Sequence, residues 1–297
     1  MRLPLLHGST DGSLLAAWTL DPLLVNLLAL TAICYGIGLR SIHRKGRPVS
    51  GWRAASFFGG LAVVAFSLIG PLETWNDDLF FIHMLQHLAL MIVAAPLLLL
   101  GRPVQIALQA LPSGYSRAIV GSVFRRSRAR RVATVLTHPL TVFLAFNLNL
   151  ALWHLPGMYV RALENDLVHE IEHFAFFGTS LLFWWVIVDP VPRHHRAPAH
   201  WLFGMCFGTC MIGGLVAAAL TVANRVLYPY YLSADQPWGL TPLADQKLGG
   251  GIMWISGAVY FALMFAMLYQ MVKPDDGEPQ RRAAAQVATP RTDRSPV

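Results

Sequence analysis

Four of the eleven histidines fall into two pairs with the same spacing. His83 and His87 stand at i and i+4, and so do His169 and His173. On an α-helix this spacing puts both imidazoles of a pair on one face, near enough to share a metal ion. Two acids, Glu170 and Glu172, lie between the second pair. The segment His169-Glu170-Ile171-Glu172-His173 therefore reads H-E-x-x-H, the pattern in which two histidines hold zinc and the glutamate activates water. Histidines on opposed helices can instead hold haem iron from both sides. Imidazole also suits copper, and thioether favours its reduced ion, so Met253 and His154 join the possible ligands. Zinc, haem and copper chemistry are all open at this point.

The elements that must position these residues follow from composition. Of the 297 residues 55% are hydrophobic and only 13% are charged. The mean hydropathy is +0.48. That balance excludes intrinsic disorder and argues against a soluble enzyme. Seven apolar stretches are long enough to span or nearly span a bilayer, at roughly 22–39, 52–70, 79–100, 139–155, 167–188, 199–222 and 250–272. Proline or glycine marks most of their ends. The expectation is an all-α polytopic membrane protein: one seven-helix bundle over residues 1–272, with a polar tail, 273–297, disordered in the cytoplasm. No cleaved signal peptide is expected at the start. Cys34, Cys206 and Cys210 are too few for a disulfide scaffold.

Charge orients the bundle. Connections one, three and five and the tail together hold 19 of the 23 lysines and arginines. The positive-inside rule then places the N-terminus outside and the C-terminus in the cytoplasm. The net charge of +7 is thereby accounted for by topology and anionic membrane lipid, and nucleic acid is not expected as a partner. In this orientation His83, His87, His154, His169 and His173 all fall within roughly 12 Å of the outer boundary, at 1.5 Å per residue. Three helices thus bring histidines to one depth. Ionisable groups inside a membrane helix are costly and usually mark function, which includes Glu172.

Smaller features have ordinary readings. Cys206 and Cys210 are expected to be small buried residues, with Gly204 and Gly208 forming a small-xxx-small pattern of close packing in the same turns. Trp153, Trp184, Trp185 and Trp254 fit interfacial belts. Asn147 and Asn149 are expected to bridge helices. The basic run Arg125-Arg126-Ser127-Arg128-Ala129-Arg130-Arg131 is expected to meet anionic headgroups.

Taken together the motifs resemble the seven-helix CtaG family of bacterial cytochrome c oxidase assembly proteins, associated with aa-type oxidases. The resemblance rests on His83-Met84-Leu85-Gln86-His87 leading to Ala95-Pro96 and Gly101, and on Trp153-His154-x-Pro156-x-x-Tyr159. It continues with His169-x-x-x-His173 before Trp184-Trp185, and with Asp245-Gln246-x-x-Gly249-Gly250-x-x-Met253-Trp254. These pieces keep the family's order over roughly residues 52–272. The resemblance implies an assembly factor in the bacterial plasma (inner) membrane that handles copper. It implies cytochrome c oxidase subunits as partners, no catalysis, and compatibility with a homo-oligomer. His83, His87, His169 and His173 are the expected ligands, with His154, Met253 and Glu172 as contributors. A membrane zinc protease, a haem-binding protein and a metal-free scaffold are the alternatives.

Overall fold

The computed structural model describes residues 18–272, apart from 20, 113, 119–120, 122–126, 189–196, 235 and 237. The expected tail at 273–297, and Arg125 and Arg126 of the basic run, lie outside the described residues. Every regular element among them is helical. Six helices are long and apolar enough to cross a membrane: Pro22–Arg44, Gly51–Trp75, Phe80–Ala110, Asp166–Val188, Ala199–Val222 and Pro242–Tyr269. The chain is an all-helical, polytopic membrane protein.

The fourth expected span, 139–155, forms as a helix as short as its apolar stretch. Residues Pro139–Trp153 form a helix of 15 residues, roughly 22 Å long and short of a full crossing. It meets Arg130–Leu136 at a bend of 57°, and only together do the two segments reach spanning length. His138 caps the second segment, its Nδ1 accepting from the Leu140 N–H at 3.3 Å, and Pro139 starts the new helix. Proline at the first helical position lacks only a donor that the helix leaves free there.

The elements that carry the site are named in chain order. Helix α1 is Pro22–Arg44, α2 Gly51–Leu68, α3 Pro71–Trp75 and α4 Phe80–Leu88. A π-helical stretch, Ala89–Ala94, leads into α5, Ala95–Leu100, and α6, Pro103–Ala110. Then come α7, Ser127–Leu136; α8, Pro139–Trp153; α9, Pro156–Glu164; α10, Asp166–Val188; α11, Ala199–Val222; and α12, Pro242–Val272. The last begins eight residues before the expected 250, because Asp245 and Gln246 are buried within the helix rather than in a loop.

Those two polar residues explain how the start of α12 is fixed. Asp245 Oδ2 and Oδ1 accept the Phe80 and Phe81 N–H groups at 2.7 and 2.9 Å. One helix thereby caps the N-terminus of another, where free donors and the helix dipole favour a carboxylate. Gln246 accepts the Leu227 N–H at 2.6 Å and donates to the carbonyls of Leu220 and Arg225, tying down the chain that leaves α11. Gly249 lets the Phe80 ring lie where a Cβ would stand, and a Cβ on Gly250 would come within 3.0 Å of α11. Together these contacts fix α4, with His83 and His87, against α11 and α12.

The π-helical stretch has an identifiable cause. Pro96 has no N–H for an i→i−4 bond, so the ladder ahead of it is broken. The indole of Trp184 on α10 donates to the Met91 carbonyl in this stretch at 2.8 Å. Trp184 is 4% exposed and Trp153 is 5% exposed, so neither is an interfacial anchor as expected. Each was apolar enough for the core and had a partner for its N–H, Trp153 in Asn149 on its own helix. Asn149 therefore does not bridge helices, whereas Asn147 does, donating to Thr209 of α11 at 2.9 Å. Trp254 remains half-exposed, and Cys206 and Cys210 are free and packed in the main core.

Replacing Asp245 with alanine removes the acceptor of two buried backbone donors. The expected loss is roughly 2–4 kcal/mol, with asparagine losing less. Helical signal followed during heating in detergent should fall at a lower temperature for Asp245→Ala than for Asp245→Asn. Equal melting of both variants and the parent would remove this role from Asp245.

Candidate metal centre

Helices α4 and α10 turn their histidine pairs toward each other. The four imidazoles close a ring, with centroids 4.4 Å apart from His83 to His87 and 5.0 Å from His87 to His173. The separation is 4.3 Å from His173 to His169 and 5.3 Å back to His83. His87 Nε2 lies 2.7 Å from His83 Nε2. Glu172 reaches the same point, its Oε1 3.6 Å from His87 Nε2 and its Oε2 3.9 Å from His83 Nε2. Among the described residues, these three form the group whose possible metal-binding atoms all lie within 4.8 Å of one another. His169 and His173 flank it.

The residues fit a cation. His83 is fully buried, and His87 and Glu172 are 5% and 1% exposed. His83 Nδ1, His87 Nδ1, His173 Nε2 and Glu172 Oε2 are buried with no hydrogen-bond partner. Such atoms are rare because leaving them unpaired is costly. The ion-pair partners of Glu172 among the described residues are these two imidazoles. A cation held by the two Nε2 atoms and the carboxylate would replace the hydrogen bond between the imidazoles and would balance the acid. Ligation at about 2.0–2.1 Å asks the two rings to part slightly.

The two acids of the H-E-x-x-H segment separate clearly. Glu172 points into the cluster, while Glu170 is exposed on the other flank of α10. At about 100° per residue the two flank the histidine face on opposite sides, each about 80° from its centre, and helix packing buries the Glu172 flank. The zinc-protease pattern puts its water-activating glutamate at the position of Glu170.

A small cavity of about 30 Å³ adjoins the cluster. That is room for one or two waters. His87 lines it, and so do His154, Met84, Met91 and Met253. His154 is thus not in the imidazole ring. Phe176 stands between, its ring 4.8 Å from His87 and 6.3 Å from His154. The Nδ1 of His154 contacts the Leu150 carbonyl at 2.8 Å, and its buried Nε2 has no partner. Met253, 7% exposed, faces this cavity.

A tyrosine and amide network backs the cluster. The Tyr159 ring lies 5.1 Å from His83, and its hydroxyl is 3.0 Å from that of Tyr231. Tyr231 donates to the Asn76 carbonyl, and Tyr228 to the His154 carbonyl. Burial raises all three phenols above their ordinary range, so they stay protonated. Gln86, between the two histidines of α4, donates to Glu73 at 2.7 Å and to the Ser67 carbonyl at 2.8 Å, and accepts from Asn76 at 3.1 Å. Sequence reasoning assigned no role to Asn76, Tyr228 or Tyr231. The one signal for this shell was an amide, Gln86, inside an apolar span.

The family model described as cytochrome c oxidase caa3 assembly factor matches residues 33–273. This chain belongs to that family. Its matched stretch contains every residue of the cluster and of the cavity beside it. Similar proteins described as uncharacterized occur in Mycobacterium bovis and Mycobacterium leprae. The first is 28% identical over 90% of this chain and 41% of its own length. The second is 25% identical over 87% of this chain and 40% of its own length. The chain therefore spans about two-fifths of the length of the curated relatives it matches. No solved structure matches it.

A buried carboxylate without a permanent partner is a local liability in metal-free protein. Glu172→Gln is therefore expected to raise the melting temperature of the metal-free chain, by an amount equivalent to about 1 kcal/mol. Glu170→Gln, at an exposed site, should change it by no more than about 0.5 kcal/mol. A lower melting temperature for Glu172→Gln would mean that the carboxylate is satisfied without metal.

Proposed function

We propose that this chain serves cytochrome c oxidase assembly by holding copper at the His83–His87–Glu172 cluster and handing it to an oxidase subunit, without catalysis of its own. The convergence of two histidine pairs on one buried carboxylate carries this reading. The family description supplies the oxidase context. His83 lies in the first turn of α4 and His169 in the first turn of α10, so the cluster sits close to one membrane face. The charge bias of the connections makes that the outer face of a bacterial plasma membrane.

Copper is preferred over zinc for a reason that lies next to the cluster. His87 is shared with the cavity, where Met84, Met91 and Met253 provide thioether and His154 provides a free nitrogen. Thioether and imidazole together favour copper, especially the reduced ion. A site reached within two helical turns of the surface can release its ion by exchange of ligands with a partner. The outward direction of Glu170 leaves a zinc hydrolase without its usual base. A porphyrin would have to lie between opposed imidazoles that here face each other directly, which supports haem less. A metal-free scaffold remains the second reading, and it predicts tolerance of alanine at all four histidines.

The deciding experiment compares metal content of the chain purified in mild detergent with that of His83→Ala/His173→Ala. Near-stoichiometric copper, lost in the variant, is the expected result. Glu172→Gln should weaken copper binding by about 10–100-fold, and Glu170→Gln should leave it unchanged. Oxidase copper loading that stays normal in the double variant would sink the carrier reading.

A further inference from the structure

Toward the end of the third span remote from the histidines, the helix is interrupted at Gly101 and Arg102. There α6 packs against the junction between α1 and α2. A cavity of about 300 Å³ opens between them, lined by Arg47, Arg53, Arg102, Ser50, Gln105 and Gln109 among others. Among the described residues, no carboxylate lines it. The Arg53 guanidinium contacts the Leu100 carbonyl at 3.4 Å and lies 4.5 Å over the Trp52 ring. Arg102 Nη1 reaches the Gln105 side-chain oxygen at 3.4 Å. These are neutral partners. Three fixed positive charges around one space repel each other until an anion enters it.

The walls are built rather than incidental. The Tyr35 hydroxyl donates to the Gly101 carbonyl at 2.9 Å. The Lys45 ammonium donates to the Gln109 and Ala110 carbonyls at 2.7 and 3.1 Å, so it closes the end of α6 and stays out of the charge left over. Arg102 has φ 52° and ψ 49°, and among the described residues it is the non-glycine with positive φ. Glycine takes this conformation freely, whereas a side chain is strained there. An arginine kept at a glycine's position points to work for its guanidinium.

We propose that this pocket binds the phosphodiester of an anionic phospholipid. Guanidinium groups recognise phosphate oxygens in pairs, and amides beside them add donors. The half-exposed Trp52 marks headgroup depth. Leu23, Leu27, Leu30, Ile33 and Ile37 leave an exposed apolar flank on α1, along which acyl chains can lie. Basic pockets between membrane helices bind such headgroups. This site is independent of the copper reading.

The test uses the full chain in uncharged detergent, with lipid retention read by native mass spectrometry against added phosphatidylglycerol, cardiolipin or phosphatidylcholine. The parent should hold one anionic lipid per chain in preference to phosphatidylcholine. Arg47→Gln/Arg102→Gly should weaken that binding at least tenfold. Glycine at 102 relieves the backbone, so the melting temperature of this variant should not fall, which separates lost binding from lost folding. Arg161→Gln/Arg225→Gln, exposed charges elsewhere, should keep the lipid. Saturable binding of inorganic phosphate by calorimetry, with displacement of lipid, would assign the same pocket to a soluble anion and overturn the lipid assignment. Equal retention by parent and pocket variant, or no preference over phosphatidylcholine, would overturn the site.

Discussion

Two backbone N–H groups at the start of α4 bond to a carboxylate on α12, and the height of the whole histidine cluster depends on that contact. In hydrocarbon a free helix end has no water to satisfy it, so its donors must be met by protein. Asp245 meets two of them at once. From there His83 and His87 follow at fixed rise and rotation, one and two turns along. Gly249 and Gly250 let the helices approach closely enough for the contact to form. The same helix that anchors α4 also carries Met253 to the cavity wall, so one element sets both the imidazoles and the nearest thioether.

The cluster itself inverts the usual logic of a membrane core. Gln246 and Trp184 each find partners, as buried polar groups must. His83, His87, His173 and Glu172 keep buried atoms without one in a single cluster, while Ser67, Asn147, Asn149, His154 and Gln236 each keep one outside it. Polar groups left unsatisfied in a pattern, beside others satisfied with care, are a signature of a site whose missing partner comes from outside.

Much of this was legible in the sequence. Paired histidines at i, i+4 inside apolar stretches fixed one face of each helix, and matched depth on two helices brought the faces together. The finer choices were angular or tertiary. Glu170 and Glu172 flank the histidine face symmetrically, each about 80° from its centre, so packing against the neighbouring helices decides which turns inward. Trp184 and Trp153 read as interfacial because the chain gives no sign of a buried acceptor for an indole N–H. Asn149 found its partner on its own helix. His154 shares the depth of the cluster but not its contacts, because Phe176 fills the space between. The fourth span reads as starting at Pro139, and what its composition does not show is the helix before it, Arg130–Leu136, which meets it at 57°.

The π-helical stretch between Ala89 and Ala94 also sets a phase. A turn closed over five residues instead of four holds one residue more than the α-helix around it needs. Upstream of it stand His83 and His87; downstream stand α5 and, past Gly101, Arg102. Adding or removing a residue in an α-helix rotates everything beyond it by about 100°. The two ends of this span are therefore kept in register by residue count as well as by residue type. Between His87 and Arg102, a change of length by one residue would turn one end's chemistry away from the bundle.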